Sequence, residues 1–266
     1  MKKQLYFKDL MKYFIWTFLD YILKFMLISV LWFAFNLPLL YTVFVLVYSK
    51  IFIASYFIIL FIVINFSPIS FGAAAYALAI VSQSSSSKKL ELFQRFESTK
   101  MIKINFFFKG IFKYFFKSLG LTLILIVTWL FFYANIYFYW RVLTPKIPLL
   151  GLVLTGFMLW LTAVLYLMHF YLIPLLITKN ISPFKALYQA FLLVADNILY
   201  TLSVGMLLTS LFVIMAFTVA GIFLIFYGAA ILLQLFGFIV IYQKYDETLE
   251  LSSEPRTLKD IIKPWG

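Results

Sequence analysis

A chain of 266 residues that is 65% apolar and 12% charged cannot fold as an ordinary soluble domain, where roughly 45–50% and about 25% are usual. So much Phe, Leu, Ile and Tyr would leave apolar surface that no single core could hide, and lipid must cover it. The absence of cysteine excludes disulfides, thiolate catalysis and cysteine-held metals, and the formal charge of +12 is met by anionic headgroups without any nucleic acid.

The N-terminus, MKKQLYFKDLMKYFIW, carries Lys8, Asp9 and Lys12 where a signal peptide would be apolar, and it is expected to be retained. A spanning helix needs about 20 apolar residues to cross some 30 Å of hydrocarbon. That measure places spans near residues 21–48, 51–81, 118–140, 147–177, 198–219 and 222–242. The predicted fold is all-α and polytopic, with about six transmembrane helices plus interfacial amphipathic helices. Residues 1–243 form one membrane domain and 244–266 a short cytoplasmic tail.

The second and fourth spans are too long for straight rods, since about 31 residues reach roughly 46 Å. Each contains a proline, Pro68 or Pro174, at which it can break or bend. In the first span Pro38 frees the carbonyl of Ala34, and the amide of Asn36 can answer the local shortage of hydrogen bonds. After Pro68 comes FGAAAYALA, where the pairs Ala73/Ala77 and Ala75/Ala79 allow close approach of another helix. Residues 82–91, SQSSSSKKLE, read as a flexible cytoplasmic link.

Residues 100–117 set Lys109, Lys113 and Lys117 four apart, with Phe108, Ile111, Phe112, Phe115 and Phe116 turned away from them. This is the pattern of a helix lying in the headgroup plane. Residues 182–197, SPFKALYQAFLLVADN, form a second amphipathic helix that Ser182 caps and Pro183 opens. Its expected apolar face is Phe184, Leu187, Phe191 and Val194, with Lys185, Gln189 and Asp196 off it as candidates for docking a partner. Importer permeases seat an ATPase on such a helix, but their glutamate-alanine-alanine and glycine pattern is missing. The last two spans meet around Ala220 and Gly221 in a tight hairpin, because a single helix of that length would overshoot the bilayer.

Eighteen basic residues fall before the first span, in 82–117, in 178–197 and after Tyr242, against three (Lys50, Arg141 and Lys146) in the other connections. Both termini should therefore face the cytoplasm. No Asp or Glu lies inside a predicted span, so proton- or cation-coupled transport lacks its usual acids. The best candidates to line a polar cavity are Asn36, Asn65, His169 and Gln234, because lipid-facing amides would be costly. One histidine and no convergent acids leave no catalytic, cofactor or metal site to assign, and no glycine-rich phosphate loop is present.

The order Leu31–Trp32, Leu37–Pro38, Pro68 leading to Ala73–Ala77, and then a Phe- and Lys-rich helix entering a span resembles the YesL-like bacterial membrane proteins of unknown function. The helix at 182–197 is similar to a cytoplasmic helix in that family. The resemblance covers most of residues 21–242, and this chain carries about 27 additional residues between Leu40 and Pro68. It implies a bacterial inner-membrane protein associated with carbohydrate transport systems. The expected function is thus a non-enzymatic accessory protein whose partners are lipid, transporter subunits or a second copy. The alternative is a channel or carrier for a small neutral or amphiphilic solute.

Overall fold

The computed structural model describes residues 7–48, 54–84 and 104–245. The expectations for most of the 82–91 link, for residues 100–103 and for the tail beyond Tyr245 lie outside them. Among the described residues the regular structure is entirely helical: α1 (Phe7–Asp20), α2 (Ile22–Tyr48), α3 (Ala54–Asn65), α4 (Pro68–Ser84), α5 (Asn105–Phe138), α6 (Pro148–Lys179), α7 (Pro183–Asp196), α8 (Ile198–Ala216), the single turn α9 (Val219–Gly221) and α10 (Tyr227–Tyr242). π-helical turns follow α5 at Tyr139–Leu143 and precede α10 at Ile222–Phe226.

Among the described residues six stretches are long and apolar enough to cross a membrane: Ile22–Leu46, Tyr56–Ser82, Asn105–Leu143, Pro148–Lys179, Ile198–Ala216 and Ile222–Tyr242. The third departs from expectation. Where the sequence predicts a separate interfacial helix ending at Lys117, α5 runs unbroken from Asn105. Phe107, Gly110, Tyr114, Ser118, Leu121 and Leu125 form one buried stripe across the predicted boundary, so the same face packs on both sides of it and nothing turns the chain.

The three prolines act differently. Pro38 and Pro174 sit inside continuous helices, whereas Pro68 opens a new one after a two-residue break. Proline at the first helical position loses no hydrogen bond, which makes that break inexpensive.

The expected single membrane domain groups into two compact units: residues 1–32, 72–110 and 199–266 in the first, 33–71 and 111–198 in the second. Within the first, α8 and α10 run antiparallel. Tyr200 Oη donates to the Gly237 carbonyl at 3.3 Å, and the Phe212 and Phe226 rings meet edge to face at 5.3 Å. Tyr13 of α1 stacks on Phe236, and Trp32 of α2 stacks on Tyr227 with ring centroids 3.9 Å apart. Gly110 rests against Gly72 and Ala75 so closely that a Cβ there would come within 2.7 Å of the Ala75 side chain. The small residues of α4 are thus used for close helix packing within this unit.

Within the second unit, α7 packs on α6, and the Tyr114 hydroxyl of α5 reaches the Ile177 carbonyl of α6 at 3.1 Å.

The helices also show an internal duplication. α1 and α7 are each 14 residues long, each ends in aspartate, and each is followed by one turn residue and then by Ile-Leu opening the next helix. Both contain Phe-Lys-x-Leu, at 7–10 and at 184–187. The turn is closed alike, by Tyr21 N–H to the Thr17 carbonyl and by Asn197 N–H to the Leu193 carbonyl, at 3.2 and 3.1 Å. Further on, Phe71-Gly72-Ala73-Ala74 of α4 matches Tyr227-Gly228-Ala229-Ala230 of α10, and both helices are buried along most of their length. Each of these motifs comes shortly after an interruption: the break at Phe66–Ser67 in one case, the π turn Ile222–Phe226 in the other.

Candidate functional site

The break between α3 and α4 falls near the middle of the stretch Tyr56–Ser82, where hydrocarbon offers no hydrogen bonds, so protein groups must supply them. The Phe66 carbonyl accepts from Ser118 Oγ at 2.7 Å and from Thr122 Oγ1 at 3.1 Å, both on α5. Ser70 Oγ donates to the Ile64 carbonyl at 2.9 Å, and Ser67 Oγ accepts from the Ser70 N–H at 3.3 Å. Asn65 Nδ2 donates to the Phe61 carbonyl at 2.9 Å.

His169 of α6 stands beside this break, its ring 5.0 Å from that of Phe66 and 6.3 Å from that of Phe61. Its Nδ1 lies 2.7 Å from the Leu165 carbonyl. A carbonyl can only accept, so Nδ1 carries the proton and Nε2 of the neutral ring is left as an acceptor.

The four predicted cavity residues are therefore distributed as follows. Asn65 and His169 meet at the break through Phe61 and Phe66. Asn36 is fully buried on α2, in the same unit, and Gln234 is half-buried on α10 of the other unit. Ser118 and Thr122 were missed. Their signal was present in the sequence as two hydroxyls four apart on an apolar helix, in register with Tyr114. The assembled groups are hydroxyls, an amide, an imidazole and backbone carbonyls. They satisfy the backbone at the break without placing a formal charge there.

The predicted docking helix packs through its small residues, with the aromatic part of its apolar face turned outward. Ser182 stands at the N-cap of α7 without a side-chain capping bond, and only its carbonyl engages the helix, accepting from the Ala186 N–H at 2.9 Å. The buried face is Ala186, Ala190, Leu193 and Val194, while Phe184, Tyr188 and Phe191 point outward. Alanines let α7 approach α6 closely, which the larger aromatic face would prevent. Of the docking candidates, Lys185 and Asp196 are exposed, whereas Gln189 turns inward with its Oε1 buried and accepting no hydrogen bond.

Lys117 sets the corner on which α7 hangs. α6 ends at Asn180 in the left-handed conformation, φ 52°, which asparagine tolerates better than most residues. Lys117 Nζ donates to the Asn180 carbonyl at 2.7 Å, to Asn180 Oδ1 at 2.8 Å and to the Ile181 carbonyl at 3.1 Å. A cation here also meets the negative end of the α6 dipole. Lys117→Met is expected to cost about 1 kcal/mol, seen as a lower thermal midpoint in detergent, with Lys117→Arg retaining most of it.

Fold and site together define a multi-pass, all-α membrane protein with a neutral polar break in one spanning helix. Comparison with protein-family models, with curated proteins and with solved structures returns no match.

Proposed function

We propose that this protein is a non-enzymatic carrier for a small neutral or amphiphilic solute. One observation carries the reading: with Phe71-Gly72-Ala73-Ala74 aligned on Tyr227-Gly228-Ala229-Ala230, the break at Phe66–Ser67 inside the second apolar stretch has as its counterpart the π turn Ile222–Phe226 that opens the sixth. Repeated halves with matching interruptions in their spanning helices are how many transporters build a binding site near the midplane. The sequence supports the neutrality of the solute, since no Asp or Glu occurs inside any of the six apolar helices. Reconstituted alone into liposomes, the protein should speed the entry of one or more uncharged sugars or polyols, followed by light scattering as the vesicles reswell. Vesicles indistinguishable from protein-free ones across such a panel would remove the reading.

A second reading is an accessory subunit of a carbohydrate transport system, as the resemblance to the YesL-like proteins implies. The outward aromatic face of α7 supports it by offering a surface for transporter subunits or a second copy. Recovery of transporter subunits with the full chain in mild detergent, together with inert liposomes, would favour this reading over the first. On either reading the lysine distribution supports a bacterial cytoplasmic membrane location with both termini in the cytoplasm. Tags at the two ends should be equally accessible from that side.

A further inference from the structure

We propose that the outer face of α7 and the adjoining turn of α5 form a binding surface for the acidic phospholipids of the surrounding bilayer. Three observations within the second unit carry this.

The first is position. Between Lys117 and Arg141, α5 and the start of the π turn that follows it hold 23 uncharged residues, 118–140. These reach about 34 Å, close to the hydrocarbon thickness, so Lys117 marks the edge of the apolar layer. The segment that Lys117 grips, Asn180 and Ile181, lies at the same edge. Pro183, the first residue of α7, stands next to Gly120 of α5, so a Cβ there would meet its Cγ at 3.8 Å. α7 therefore starts at the boundary between acyl chains and headgroups.

The second is composition. Phe112 and Phe116 on α5 are 78% and 84% exposed, and Phe184 and Tyr188 on α7 are 72% and 64% exposed. Water would not tolerate four such rings around one corner, whereas the headgroup boundary favours them, tyrosine especially.

The third is charge. Lys113 and Lys185 are exposed beside these rings, and Lys179 is half-buried at the adjacent end of α6. Asp196, at the far end of α7, is the sole acid in the unit's sequence. Lysines that rise from an aromatic layer meet phosphate and carboxylate headgroups, and an anionic surface is the occupant whose charge complements them.

The chain has no cysteine, so single-cysteine variants report one site each. A spin label at Tyr188→Cys, with Phe184→Cys as the second site, is placed in nanodiscs of phosphatidylcholine alone or of equal parts phosphatidylcholine and phosphatidylglycerol. The label should be accessible to oxygen and shielded from a water-soluble nickel reagent, more so with phosphatidylglycerol. Lipid extracted from protein purified out of the mixed bilayer should be enriched in phosphatidylglycerol. That enrichment should fall about fivefold for each lysine removed by Lys113→Gln and Lys185→Gln. Labels open to the nickel reagent in both bilayers would overturn the proposal, as would shielding that arises only in native membranes, which would mean that a protein covers the face. Shielding with no phosphatidylglycerol enrichment would overturn it as well.

Discussion

Gly228→Ala is expected to be the most damaging single substitution in this protein, lowering its stability by about 3 kcal/mol. A Cβ at residue 228 would be driven into the backbone carbonyl of Phe25, and no side-chain rotation can relieve a contact with backbone. The same spot holds a hydrogen bond that ties distant parts of the chain together. Directly after the π turn, the Gly228 N–H donates to Ser29 Oγ at 2.8 Å, and that hydroxyl donates in turn to the Phe25 carbonyl at 3.2 Å. Pushing α10 off α2 would break this relay and the Trp32–Tyr227 stack together. The control is Gly156→Ala, where a Cβ meets nothing within 4 Å. That change should be neutral or stabilising by up to about 1 kcal/mol through helix propensity. Equal effects of the two substitutions on thermal unfolding in detergent would show that the approach of α10 to Phe25 is not what the glycine is for.

The second large effect is expected at the helix break, and it should be strongly non-additive. Ser118 and Thr122 both donate to the Phe66 carbonyl, which lies where neither water nor a regular helix bond can serve it. Ser118→Ala or Thr122→Val alone leaves the other hydroxyl in place, so each should cost less than about 1 kcal/mol. The double variant leaves a buried acceptor unmet and should cost about 2–3 kcal/mol. A double-mutant cycle on unfolding measures the difference directly. Additive losses would mean that the two hydroxyls do not share the carbonyl as the geometry places them. If the carrier reading holds, the double variant that still folds should also transport more slowly, because the break would lose its fixed shape.

Much of this fold was legible in the sequence, for a simple reason. Runs of some 20 apolar residues have one stable environment, so the existence of six apolar helices follows from composition and length. Pro183 at the start of α7 was equally readable, because proline acts on the backbone locally, whereas the turn expected at Ala220 and Gly221 comes earlier, at Phe217 and Thr218, and Gly221 is itself helical. The duplication was there to be read as well, in Phe-Lys-x-Leu, in Asp-x-Ile-Leu and in the two aromatic-Gly-Ala-Ala runs. Each is too short to stand out until the equal lengths of α1 and α7 align them.

Hydrophobicity by itself does not say which face meets protein. Around 184–191 the bulky aromatics are exposed and the alanines packed, and around 108–116 the aromatics are likewise exposed, as suits a chain whose outer solvent is lipid. Composition and local pattern by themselves determined the medium, the number of apolar stretches and the neutrality of the spans, since each depends on residues close together in the chain. Only tertiary structure decided which face of α7 packs, that α5 runs on through Lys117, and that Ser118, Thr122 and His169 meet at Phe66. Those outcomes depend on which helix lies alongside, and a hydrogen bond between residues 52 positions apart leaves no local trace in sequence.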